Sequence, residues 1–247
     1  MKTQFGKVIL ESDICVLCGK RPAITKEHIP PQSLYHKNKP KEYLKVPACE
    51  ECNGSTKLDD EYLEQVMSGA SLVGQGTKIW KEKVSPKLKD RPKTKAGLRE
   101  NLALASIETE MFKTMILPAM KVNPQRIRTN IKKMVYGLHW FETNGRLLSP
   151  NAYLDIRFLN VIDFPRATKN PKFYSLLNQL RMGIYEKPEE RETFFYTGLI
   201  TEKMSVWCFF FYKQNAVIVF QYRNRLRYLL TKFVNQVSSW ISHMKSK

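Results

Sequence analysis

Two hydrophobic periodicities run along this chain, and the places where they switch mark its elements. Residues 23–31 form a short β-prone run closed by Pro30 and Pro31, and residues 43–46 form a second one. From Asn53 onward the pattern turns helical, with Leu58, Tyr62, Leu63 and Val66 as the apolar side. Residues 78–95 carry eight lysines and arginines against Glu82 and Asp90, and Pro86 and Pro92 interrupt them, so an exposed basic linker is expected. Residues 98–120 then show helical spacing of Leu102, Ile107, Met111, Met115 and Ile116.

Pro124 suits the first turn of a further helix, where its missing N–H costs nothing. Its inward side is predicted to hold Ile127, Ile131, Met134 and Val135, and its outward side Arg126, Arg128, Lys132 and Lys133. Residues 153–164 alternate as a strand and 171–184 read as a helix. Three strand-like runs follow at 193–200, 205–212 and 216–222, the last two joined by a connection of hairpin length. A basic amphipathic helix is expected over 223–243. The fold class is therefore α+β. It divides into a small module over 1–75, the linker over 76–95, and a mixed helical and antiparallel-sheet domain over 96–247.

At 43% hydrophobic and 26% charged residues, the 247-residue chain can bury a real core, which excludes a wholly disordered chain and a disulfide-stapled miniprotein. No apolar stretch approaches the roughly 18 residues a membrane span requires. The first residues, Met1 to Lys7, lack the apolar heart of a signal peptide, so a cytoplasmic setting is expected. Charge changes the picture more. Lys and Arg number 41 against 23 Asp and Glu, a net charge of +18. That excess favours a polyanionic partner, nucleic acid before membrane surface. It is heavier in the second part: 18 basic against 12 acidic side chains in residues 1–95, and 23 against 11 in 96–247.

Four of the five cysteines form two matched pairs, Cys15-Val-Leu-Cys18 and Cys49-Glu-Glu-Cys52. A two-residue spacer makes a tight knuckle that aims both sulfurs at one metal, and two knuckles complete a tetrahedral structural zinc site. Gly19 suits the positive φ such a knuckle favours. Cys208 lies within Trp207-Cys208-Phe209-Phe210-Phe211 and reads as a core thiol.

Between the knuckles stands Glu27-His28-Ile29-Pro30, and Asn53 and Lys57 follow the second knuckle. The order of knuckle, acid–histidine strand, loop, strand, knuckle and Asn-bearing helix resembles the zinc-knuckle branch of the HNH endonucleases. The resemblance covers about residues 11–70. It implies a ββα-metal module in which His28 is the general base and Glu27 and Asn53 ligate a catalytic Mg²⁺ or Mn²⁺. Lys57 would share the face of Asn53 and contact phosphate. Asp60 or Glu61 would supply an additional ligand, although an acidic first helical turn is also what the helix dipole favours.

Two departures from the family pattern stand out: Glu27 replaces the commoner Asp, and Leu44 occupies the position of the usual middle asparagine, with Asn38 the nearest one. The resemblance implies hydrolysis of phosphodiester bonds, in DNA before RNA, in a setting such as bacterial or phage defence, with a homodimer admitted. The basic residues Arg126, Arg128, Lys132 and Lys133 would grip the backbone. A non-catalytic zinc-ribbon protein that binds nucleic acid is the alternative.

Overall fold

The proline pair at 30–31 does close a strand. In the computed structural model β3 (Thr25–Ile29) pairs antiparallel with β4 (Leu44–Ala48), Glu27 opposite Val46 and His28 opposite Lys45. The structure describes residues 3–4, 7–8, 11–37, 39–40, 43–89, 102–107, 115–120, 122–159, 192–226 and 228–229. Two short strands, β1 (Thr3–Gln4) and β2 (Lys7–Val8), pair with each other before the first knuckle.

After β4 the chain enters a short helix, α1 (Glu50–Gly54), and then α2 (Lys57–Gly69). The single helix expected from Asn53 is broken at Ser55 and Thr56, so Asn53 and Lys57 stand on different helices. The helical relationship expected between them does not apply.

Two further expectations are corrected. Residues 78–89 are helical and Pro86 does not interrupt them, although Lys78, Lys81 and Lys87 are exposed as expected: α3 (Gly74–Ile79), a π-helical turn over Trp80–Val84 and α4 (Ser85–Lys89) follow one another. Ile79, Val84 and Leu88 are buried. Their spacing of five and then four residues places all three on one side only because the wider i→i+5 turn absorbs the extra residue. Pro86 lies in α4, two residues after the π turn. Residues 90–95 lie outside the described residues.

The second correction concerns residues 98–120. Here β5 (Leu102–Ile107) pairs antiparallel with β6 (Met115–Met120) as a hairpin rather than a helix. Pro118, opposite Leu104, gives the reason. In a helix interior proline costs about 3 kcal/mol, whereas a two-stranded sheet has an open edge on each strand that tolerates a missing N–H.

α5 (Pro124–Glu142) forms as expected, capped by Asn123, whose Oδ1 accepts from the N–H groups of Gln125 and Arg126. A four-stranded antiparallel sheet follows, with β7 (Tyr153–Leu159), β8 (Phe194–Ile200), β9 (Met204–Phe211) and β10 (Asn215–Tyr222) in the order β7-β10-β9-β8. The helix expected over 171–184, the end of the strand expected over 153–164 and most of that expected over 223–243 lie outside the described residues, as does Asn38.

One hydrophobic cluster joins these parts. It contains Ile29 and Val46 of the hairpin, Leu63 and Val66 of α2, Ile127, Ile131 and Met134 of α5, and Trp207, Phe209 and Val217 of the sheet. Gly137 marks a close approach of α5 to the hairpin, because a Cβ there would stand 2.7 Å from Ile29 Cγ1. Polar ties reinforce the packing: Tyr212 donates from its hydroxyl to the Leu34 carbonyl at 2.9 Å, and Asn215 Nδ2 to the Met67 carbonyl at 3.2 Å. Cys208 is buried on the opposite sheet face among Val206, Phe210 and Ile218.

Candidate metal centre and the acid–histidine strand

The first knuckle is a tight turn: the Gly19 N–H donates to the Cys15 carbonyl at 2.8 Å, and the Cys15 N–H to the Arg21 carbonyl at 2.8 Å. Gly19 has φ 63°, the left-handed region where an L side chain is strained. The Val16 N–H reaches the Pro47 carbonyl at 2.9 Å and ties the knuckle to β4. The second knuckle is the start of α1, where Cys49 Sγ caps the helix by accepting from the Cys52 N–H at 3.4 Å.

All four sulfurs lie within 4.8 Å of one another. Zinc bonded at about 2.3 Å to four sulfurs sets them about 3.8 Å apart, so a small adjustment closes the shell and the four cysteines can hold a metal ion such as zinc. Burial works against ionisation of Cys18 and Cys49, but N–H groups outweigh it: those of Arg21 and Lys20 bring Cys18 down to about 6, and that of Cys52 lowers Cys49. Burial pushes Cys15 up and Cys52 up to about 12. Arg21 compensates the thiolate charge, donating from Nε to Cys49 Sγ at 3.3 Å and from Nη2 to Cys52 Sγ at 3.5 Å, while Nη1 pairs with Glu51.

Glu27 and His28 occupy successive positions of a regular strand, so their side chains leave on opposite faces. The strand runs one residue beyond His28, and the bend expected at the pair lies after it. His28 is half-buried and meets Tyr43 edge-on, with ring centroids 5.5 Å apart. Burial, and then the Lys45 charge, lower its pKa from the usual 6.5, so the imidazole is neutral near pH 7. Asn53 Nδ2 donates to the Lys26 carbonyl at 3.3 Å, which stations Asn53 beside the strand next to Glu27.

Glu27 is 4% exposed and turns toward α5. There Lys133 Nζ lies 3.3 Å from Glu27 Oε1, 2.8 Å from Asp60 Oδ1 and 2.8 Å from Thr56 Oγ1. Burial first, with Lys133 opposing it, raises the pKa of both Glu27 and Asp60. The other carboxylate oxygen, Glu27 Oε2, is buried and has no hydrogen-bond partner.

This overturns the outward placement of Lys133. From Lys133 to Phe141 every residue of α5 is buried, and its ammonium is spent on two carboxylates. Arg126 is also engaged, with Nε 2.6 Å from Asp59 Oδ1, Nη2 2.6 Å from the Leu58 carbonyl, and its guanidinium 4.2 Å above the Tyr62 ring. Arg128, Lys132 and Lys57 are exposed, and Glu61 is partly buried on α2. Thr56 and the acid-binding role of Lys133 escape a reading of the sequence, because both depend on a contact 77 and 106 positions distant.

No protein-family model, no curated protein and no solved structure matches this chain. Among the described residues no helix is long and apolar enough to cross a membrane.

Proposed function

We propose that the N-terminal module is a metal-dependent nuclease centre of HNH type, built on a ββα arrangement and clasped by zinc at Cys15, Cys18, Cys49 and Cys52. The observation that carries this reading is the half-satisfied carboxylate of Glu27. Its Oε1 is held by Lys133 while its Oε2 is buried without a partner. A buried unpaired carboxylate oxygen is costly, and a divalent cation would supply the missing partner. Asn53 uses its Nδ2 on the Lys26 carbonyl, which leaves its Oδ1 as the second protein oxygen for that cation.

Bound there, Mg²⁺ or Mn²⁺ would supply charge stabilisation at the phosphate and the leaving oxygen. The residues of the chain would do the rest. His28, kept neutral by burial and by Lys45, would accept the proton of the attacking water. Lys133 would hold Glu27 in place, and Asp60 would balance the Lys133 charge in place of ligating the cation itself. The departure of Glu27 and His28 to opposite faces favours a second reading, a zinc-clasped nucleic-acid binder without catalysis.

The deciding experiment incubates plasmid DNA with Mg²⁺ or Mn²⁺ and compares the wild type with His28→Ala, with gel-shift binding and zinc content measured alongside. The nuclease reading expects cutting by the wild type and a loss of about 10²–10⁴-fold in the variant, with binding kept. Wild-type protein that binds DNA and cuts it with neither metal establishes the binder instead. Single-stranded RNA offered in parallel separates an RNA-directed nuclease from a DNA-directed one.

A further inference from the structure

A cleft of about 740 Å³ opens between the first cysteine knuckle, α5 and the start of β7, lined by a row of cations beside the Cys18 and Cys52 side chains. Lys20, Arg21, Arg128, Lys132 and Lys133 all face it, and no carboxylate does. Two of these cations are already neutralised, Arg21 by Glu51 and Lys133 by Glu27 and Asp60. Lys20, Arg128 and Lys132 remain exposed, and among the described residues none of the three is ion-paired. Arg128 and Lys132 are four apart on α5 and so lie on one face, with Lys132 Nζ 5.3 Å from the Tyr136 ring centroid. Lys20 stands on the knuckle. Three uncompensated cations in one concavity attract a ligand with more than one negative charge.

The other wall is apolar: Tyr153, Leu154 and Ile156 of β7 line it. An acidic peptide would satisfy the cations and leave that wall in water. A duplex presents phosphates with its bases stacked inside, and a cleft within the 300–1,000 Å³ range of small-ligand pockets does not admit it. A strand with unpaired bases satisfies both walls, since its phosphates meet the cations and a base covers the apolar side.

We infer that this cleft binds an unpaired nucleotide unit of a single nucleic-acid strand, phosphates on Lys20, Arg128 and Lys132 and a base against Tyr153. The inference rests on the nucleic-acid reading above and adds the strand form and the residues that would hold it. The cleft lining includes Lys133, whose ammonium holds Glu27 and Asp60, and Thr56, whose hydroxyl accepts from that same ammonium, so a bound strand lies over the acid cluster.

The test uses the full chain carrying His28→Ala, with no added divalent cation, so that cutting plays no part. Fluorescence anisotropy follows a labelled 12-mer single strand, the same sequence as duplex, and competition by adenosine monophosphate and by poly-glutamate. Lys20→Ala with Lys132→Ala is expected to make the slope of log affinity against log salt shallower by about 1.4, two single-strand phosphate contacts. Tyr153→Ala is expected to weaken the single strand about tenfold and the duplex hardly at all. A control pair at exposed lysines that do not line the cleft, Lys81→Ala with Lys203→Ala, should leave the slope nearly unchanged, and the zinc content of every variant should match the parent.

Equal weakening by the control pair, duplex bound as tightly as single strand, or poly-glutamate competing as well as the strand would each overturn the cleft. Adenosine monophosphate displacing the strand at matched concentration would overturn the strand in favour of a free nucleotide. The two readings fail separately. A wild type that cuts plasmid while the cleft variants bind like their parent leaves hydrolysis standing, and single-strand binding through these residues without any cutting leaves the cleft standing.

Discussion

Glu27 on the hairpin and Lys133 on α5, 106 positions apart, meet at 3.3 Å with side chains only 5% and 6% exposed. Because Asp60 takes the same ammonium at 2.8 Å, removing Lys133 strands two carboxylates rather than one. Breaking one side of a buried pair costs about 3–5 kcal/mol, chiefly through the charge left behind. Lys133→Ala should therefore lower the urea midpoint by that equivalent, and Lys133→Met combined with Glu27→Gln and Asp60→Asn should recover much of it. If Lys133→Ala costs no more than the exposed neighbour Lys132→Ala, the cluster does not hold α5 to the hairpin.

The same two elements are spaced by a glycine. A Cβ at Gly137 would sit 2.7 Å from Ile29 Cγ1 and 3.5 Å from Val46 Cγ1, so Gly137→Ala overpacks the hairpin–helix contact by about 1–3 kcal/mol. Ile29→Val introduced alongside should give part of that back, a non-additivity read from thermal melts of the four proteins in the cycle. Additive losses would place the cost in α5 alone.

How far the sequence revealed all this differs from residue to residue. The cysteine clasp was legible because ligand spacing is local, and the hairpin because Pro30 and Pro31 close its first strand. The α5 helix was legible at its N-terminus, where Pro124 suits a first turn, but not along its last turns. There hairpin and sheet cover it on several sides, and the period of an amphipathic helix no longer separates inside from outside. Lys132 and Lys133 are neighbours in sequence, yet one is exposed and the other buried, and only the distant Glu27 and Asp60 distinguish them. Residues 102–120 misled for a different reason. A short apolar run fits helix and strand alike, and Pro118 held the deciding information. In the 74–89 stretch the π turn re-phases the apolar positions, which hides a buried helical segment behind an irregular pattern.

Glu64 offers a pH prediction away from the acid–histidine strand. It is 3% exposed, 2.7 Å from Lys83 Nζ, and burial, with Lys83 opposing, raises its pKa above the ordinary 4.5. A raised folded-state pKa means the folded protein holds the proton more tightly than the unfolded chain. Its contribution is then complete below about 4.5 and is lost as pH rises through the folded value. Wild type should thus lose stability relative to Glu64→Gln as pH climbs from 4 toward 7, measured as the difference between their urea midpoints at each pH. A difference that is flat, or that grows in favour of the wild type, contradicts the burial argument.

Arg21 provides the test of the clasp. Its guanidinium reaches two of the four sulfurs, and outer-shell partners of this kind typically change metal affinity by 10–100-fold. The purified chain should carry about one tightly held zinc, and Arg21→Ala should release it to a chromogenic chelator at a 10–100-fold lower chelator concentration. Cys18→Ser removes one of the four sulfurs and should abolish stoichiometric zinc, because the remaining three do not close the tetrahedral shell. Arg21→Lys tells charge apart from geometry. A single ammonium cannot span Cys49 and Cys52 as the planar fork does, so Lys should restore less than half of the lost affinity on a logarithmic scale. Full rescue by Lys would mean that Arg21 acts through its charge alone.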